Sequence, residues 1–143
     1  MHRVEPSVLL PYSAERMFRL VERVDDYPQF LPWCPAAHAR PLPDGSVEAT
    51  IEIAFHGVRT RFTTRNVSDP PREIRITLVD GPFRRLSGRW QFLELPEQSC
   101  KVSLQLQYQF AGGPLGRLIA PVFDSIAGSL IDAFARRAES QYG

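Results

Sequence analysis

The 143-residue chain has little cysteine, a single lysine and no long apolar run, and each shortage narrows what it can be. Cys34 and Cys100 are its only cysteines, without C-x-x-C spacing. That excludes a disulfide framework, a zinc ribbon and a thioredoxin-type motif, and both residues read as small buried hydrophobes. No segment reaches the roughly 20 consecutive apolar residues of a bilayer span. The opening MHRVEPSVLL has a charge and a proline where a signal peptide needs its apolar run, so the expectation is a cytoplasmic protein.

Catalytic groups are also sparse. His2, His38 and His56 fall near a terminus, at a strand entrance and at a turn, and no spacing places two of them with a carboxylate on one face. Asp124 and Asp132 sit on the polar side of a helix, where solvation is the ordinary role. The expectation is a protein that is not an enzyme, with no catalytic residue, no metal site and no required cofactor. The formal net charge of +1 says little, but sixteen of the seventeen basic side chains are arginine, and residues 56–91 carry eight of them against Asp69, Glu73 and Asp80. Arg59, Arg61 and Arg65 share one strand face and are candidates for contact with RNA phosphates or an anionic membrane surface. No aromatic accompanies them for base stacking, and Glu48 and Glu52 on the preceding strand offer exposed cross-strand pairing instead.

What the chain does have is two-residue alternation followed by helical spacing. Prolines and glycines are scattered between periodic segments without forming a linker, so residues 1–143 read as one domain. Residues 4–10 alternate as a strand; Ser13 caps a short helix through Val21; Asp25 and Asp26 cap a second short turn broken by prolines. An antiparallel meander follows, with turns at Pro43-Asp44-Gly45, His56-Gly57, Asp80-Gly81-Pro82 and Pro96, and ends at Gly112-Gly113-Pro114. Leu115, Ile119, Val122, Phe123, Ile126, Leu130 and Phe134 then recur at helical spacing, with Pro121 expected to kink the helix. With Ala120, Ala127 and Ala133 their arc covers nearly half the circumference, wider than a core stripe needs. A helix that packs on a sheet and also roofs an apolar cavity would show that width. The fold class is therefore α+β, a curved antiparallel sheet of six or seven strands wrapped around a long C-terminal helix, with two short helices after the first strand.

Several strings then resemble one family. They are Tyr12-Ser13-Ala14-Glu15, Asp26-Tyr27-Pro28 with Phe30-Leu31-Pro32-Trp33-Cys34, Asp80-Gly81-Pro82-Phe83, Leu86-x-Gly88-x-Trp90-x-Phe92, Ser99-Cys100-Lys101-Val102, and Asp132-Ala133-Phe134 with Arg137-Ala138. In this order they resemble the coenzyme Q-binding protein family of START-like, polyketide cyclase-like domains, over essentially the whole chain. Gln109, His56 and Leu130 depart from residues common in that family. The resemblance implies the helix-grip fold and two roles. One is binding a hydrophobic isoprenoid such as ubiquinone in support of respiration, with contact at the inner membrane. The other is toxin-like association with the large ribosomal subunit that blocks subunit joining. A cyclase or aromatase role follows from fold analogy alone.

For the binding role the candidate residues are apolar. Phe30, Leu31 and Trp33 stand near one mouth, and Phe83 and Leu86 follow a turn that lies over the opening in helix-grip relatives. Phe123, Ile126, Ala127 and Leu130 form the roof; Phe55, Phe62, Trp90, Phe92 and Tyr108 form wall and floor. Tyr108 is the inward group able to hydrogen-bond a quinone oxygen. Nothing in the sequence fixes the oligomeric state.

Overall fold

The computed structural model describes residues 2–143 as one eight-stranded antiparallel sheet with two α-helices. The strands are β1 (His2–Val4), β2 (Ser7–Leu10), β3 (Ala37–Pro41), β4 (Val47–Phe55), β5 (Val58–Asp69), β6 (Glu73–Asp80), β7 (Phe83–Leu95) and β8 (Ser99–Phe110). Their order is β1-β8-β7-β6-β5-β4-β3, with β2 beside β1 along β8. The expected class holds, and the count rises to eight because the first strand divides at Glu5-Pro6. Pro6 has no N–H for the ladder. Its carbonyl still accepts from the Leu104 amide at 3.0 Å, so both halves keep the same partner strand.

The meander follows its turn chemistry. His56 and Gly57 both take positive φ, 50° and 79°, the two-residue hairpin geometry that matches strand twist. β4 and β5 pair from Phe55↔Val58 outwards to Val47↔Asn66. Register shifts at Thr63/Thr64 and Phe83/Arg85 bend the long strands. Such irregularities increase local twist and let one sheet curl into a grip.

Helix α1 (Ala14–Glu22) is capped twice. The Ser13 hydroxyl accepts from the Arg16 amide at 3.2 Å, and Glu94 on β7 reaches over to accept from the Ala14 amide at 2.8 Å. The second short helix is a 3₁₀ turn, Val24–Gln29, and here the capping expectation needs correction. Asp25 and Asp26 lie inside its first turn, and Arg23 at the cap makes no side-chain bond. Asp25 instead accepts from the Ala39 amide at 3.1 Å, tying the turn to β3.

Helix α2 (Pro114–Tyr142) runs unbroken past Pro121, which is exposed. It contains a window long and apolar enough by composition to cross a membrane, so the expectation that no such segment exists is corrected. Its inner stripe of Ile119, Val122, Phe123, Ile126, Ile131 and Phe134 is nevertheless buried against the sheet. Leu115, expected on that stripe, is 52% exposed, and Leu118 is 57% exposed. The first turn rests instead on Gly116, where a Cβ would fall 1.9 Å from the Ala111 carbonyl oxygen. That close approach turns Leu115 outwards.

Phe134 is 1% exposed, with its ring edge-to-face against Tyr27, Phe30 and Trp90 at centroid distances of 5.1–5.3 Å. Phe134→Ala should therefore cost about 3–5 kcal/mol. Leu118→Ala on the same helix should stay within about 0.5 kcal/mol. Urea denaturation of both variants checks the contrast.

Candidate functional site

Under α2 the sheet and helix leave a mostly buried apolar cavity of about 80 Å³. Phe123, Ile126, Ala127, Leu130 and Phe134 form its roof from α2. Ile51, Phe62, Ile76, Leu86, Trp90, Leu104 and Leu106 are the sheet's contribution, while Val24, Tyr27, Leu31 and Trp33 close the side formed by the 3₁₀ turn and the segment after it. Three polar residues, Tyr27, Thr64 and Asn66, interrupt this lining. The Thr64 hydroxyl, on a residue only 3% exposed, donates to Asn66 Oδ1 at 2.8 Å. Tyr27 donates to the Val21 carbonyl at 2.5 Å, and burial raises its pKa far above the ordinary phenol value, so it stays neutral.

Volume decides what this state admits. An apolar cavity of about 150 Å³ holds one benzene, and drug-sized ligand sites run to several hundred Å³. At about 80 Å³ the space is too small for a quinone ring, which enters only if lining groups move outward.

The expected cavity residues divide into two sets. Leu31, Trp33, Phe62, Leu86, Trp90, Phe123, Ile126, Ala127 and Leu130 line it; Phe30, Phe55, Phe83, Phe92 and Tyr108 do not. Phe92 packs edge-to-face on Phe18 of α1 at 5.7 Å. Phe30 lies outside, under the Arg137 guanidinium at 5.0 Å, and Phe55 sits against His56 at the hairpin turn at 4.1 Å. Phe83 and Tyr108 belong to an aromatic cluster with Phe62, Phe110 and Phe123.

Tyr108 therefore stands outside the cavity lining. Its hydroxyl donates to Asp124 Oδ1 on α2 at 2.6 Å, and its pKa is raised by burial and by that carboxylate. Asp124, read from the sequence as merely solvated, is thus the anchor that fastens β8 to α2. His2 stacks on the Tyr108 ring at 5.2 Å and brings Nδ1 to 3.4 Å from the same carboxylate oxygen. Residues the sequence reading missed are Val24, Tyr27, Ile51, Thr64, Asn66, Ile76, Leu104, Leu106 and Phe134. Strand parity carried the signal for Thr64 and Asn66, which continue the inward series Val58, Thr60, Phe62.

The arginine face divides as well. Arg65 stands opposite Glu48 in register but bonds to Asp44, while Glu48 pairs with Arg40 at 3.0 Å. Two hydrogen bonds from Ser46 and one from Arg65 hold the Asp44 carboxyl down at about 2. Arg72, Arg75 and Arg89 pair with Asp69 or Glu73. Arg59, Arg61 and Arg84 make no ion pair among the described residues, although Arg61 is directly across from Glu52. Also among the described residues, no three His, Cys, Asp or Glu side chains gather as a metal site.

Residues 10–135 match the family model described as polyketide cyclase / dehydrase and lipid transport. The chain is 40% identical to a ribosome association toxin of Pseudomonas aeruginosa, over 98% of this chain and 97% of that protein. It is 27% identical to a mitochondrial coenzyme Q-binding protein of Schizosaccharomyces pombe, over 95% of this chain and 86% of that one. Among solved structures, a START superfamily protein from Mycobacterium smegmatis superposes with a TM-score of 0.82 at 20% identity, covering 99% of both chains. That last likeness shows the fold.

Cys34 and Cys100 are both buried, and burial pushes their thiols up to about 11 from an ordinary 9.0. At pH 8 both should resist a thiol reagent in the native protein and react fully in denaturant. The unfolded chain releases these protons first, so stability should fall as pH rises from about 9 through about 11. Thiol titration and melts across that window read both outcomes.

Proposed function

The chain belongs to the polyketide cyclase / dehydrase and lipid transport family, and from that premise we propose that it is a cytoplasmic, non-enzymatic binder of a hydrophobic isoprenoid such as ubiquinone, held beneath α2. The observation that carries this reading is the cavity, lined by Leu, Ile, Phe and Trp side chains and broken only by the Thr64–Asn66 pair and Tyr27. An apolar guest gains by leaving water there, and the Asn66 side-chain amide, whose Oδ1 takes the Thr64 proton, keeps its N–H groups for a carbonyl oxygen. The relative named as a coenzyme Q-binding protein supports the same guest. The small volume means that binding includes expansion of the cavity, so the apparent affinity scales with the fraction of molecules that are expanded.

Association with the large ribosomal subunit is the second reading, favoured by the name of the 40% identical relative and by Arg59 and Arg61 standing exposed without ion-pair partners among the described residues. Phosphate contacts by such arginines would be strongly salt-dependent. A cyclase role has no acid–base pair in the cavity to support it, since the ionisable residue of its lining is a Tyr27 kept neutral by burial.

Solvent extraction and mass spectrometry of protein purified from cells should release an isoprenoid quinone. Ala127→Leu, which fills the roof from a residue 1% exposed, should abolish that signal while the fold survives. Empty wild-type protein that also ignores added quinone contradicts the proposal.

For the second reading, Arg59→Glu, Arg61→Glu and Arg65→Glu together should abolish co-sedimentation with the large subunit, and wild-type binding should weaken steeply with salt. Unchanged co-sedimentation by the triple variant, or none by wild type at low salt, rejects this face as a ribosome contact.

A further inference from the structure

Helix α2 begins with an apolar surface that nothing covers. Leu115 and Leu118 are 52% and 57% exposed, with exposed Pro114, Arg117 and Pro121 around them. Leu115 also borders an open groove of about 480 Å³ whose other walls include Arg59, Arg61, Gly81 and Pro82. Arg84 comes to the same end: its guanidinium lies against Gly112, 3.2 Å from where a Cβ would stand. Arg59, Arg61, Arg84 and Arg117 have no ion-pair partner among the described residues, and the acids lining the groove are Glu52 and Asp80.

We propose that this end of the molecule is a docking surface for an anionic lipid bilayer, with Leu115 and Leu118 entering the acyl boundary and Arg59, Arg61, Arg84 and Arg117 contacting acidic headgroups. The charge pattern and the apolar pair each narrow the occupant. A bilayer of acidic lipids supplies both a negative surface and an apolar layer a few ångströms beneath it. RNA would satisfy the arginines but leave two leucines facing phosphate and water, with no aromatic in the groove lining to stack a base. A second copy of the chain would cover the leucines but bring like-charged arginines together across the symmetric contact. The surface is argued from its own residues and stands whether or not the cavity holds an isoprenoid.

The test is flotation of the full chain with vesicles of phosphatidylcholine alone and of phosphatidylcholine with phosphatidylglycerol, at low and high salt. Wild type should float with the anionic vesicles, less so at high salt, and should ignore the neutral ones. Leu115→Ser with Leu118→Ser should weaken flotation at least about tenfold at low salt. Arg59→Gln, Arg61→Gln and Arg84→Gln together should remove the preference for anionic lipid to a similar extent. Thermal melts should match wild type for both, because every altered side chain is exposed. Wild type that fails to float, floats equally with neutral vesicles, or floats unchanged after the leucine substitutions overturns the proposal. So does an arginine variant that loses ribosome co-sedimentation when wild type never floats, which would assign the face to RNA. Quinone binding measured on the same variants separates failure of this surface from failure of the cavity reading.

Discussion

Burial of the inner stripe of α2 in the concave face of the sheet is the interaction from which the rest of the structure follows. Fully burying side chains such as Ile119, Phe123, Ile126 and Phe134 is worth roughly 1.5–3 kcal/mol each. An exposed ion pair such as Arg19–Glu15 adds a few tenths of that. A flat sheet could not surround a 29-residue helix, so the bends at Thr63/Thr64 and Phe83/Arg85 belong to the same solution. The Tyr108–Asp124 bond then fixes the helix on β8, a short hydrogen bond to a charged acceptor in a half-buried place. The cavity is what remains where the curved sheet and the helix part company. Any guest must compete with the contacts that now close it.

Local chemistry made much of this fold legible. Ser13 followed by helix-spaced Met17, Phe18 and Val21 marks the start of α1, and His56-Gly57 between two alternating runs marks the β4–β5 hairpin. The strict alternation of Val102, Leu104, Leu106 and Tyr108 gives β8 its buried face. The strand break at Pro6 was harder to see, because Val4, Val8 and Leu10 keep their alternation through it. Leu115 shows the limit of helical phase: it predicts which residues share a side of a helix, while the side that packs in the first turn is set by the approach of Gly116 to Ala111.

The site was less legible than the fold for a related reason. Inward direction is readable from period-two alternation, so Phe62, Leu86 and Trp90 fall where expected. Whether an inward residue meets empty space or another side chain depends on partners far away in sequence. Tyr108 meets Asp124, Phe92 meets Phe18, and Phe83 meets Phe123, so each is core rather than lining. The arginines behaved alike: register placed Arg65 against Glu48, yet the turn residue Asp44 captures it. Pairing on this face is decided by turn geometry and reach as much as by strand register.

The central claim is that the space under α2 receives an apolar quinone. Trp33 and Trp90 both line that space, and a quinone ring against indole quenches its fluorescence. Titrating the protein with a short-tailed ubiquinone while following tryptophan emission is the most direct measurement. The account predicts saturable quenching at one equivalent, accompanied by a rise in melting temperature as the guest fills the cavity. Quenching that grows linearly without saturating, with no change in melting temperature, would contradict it.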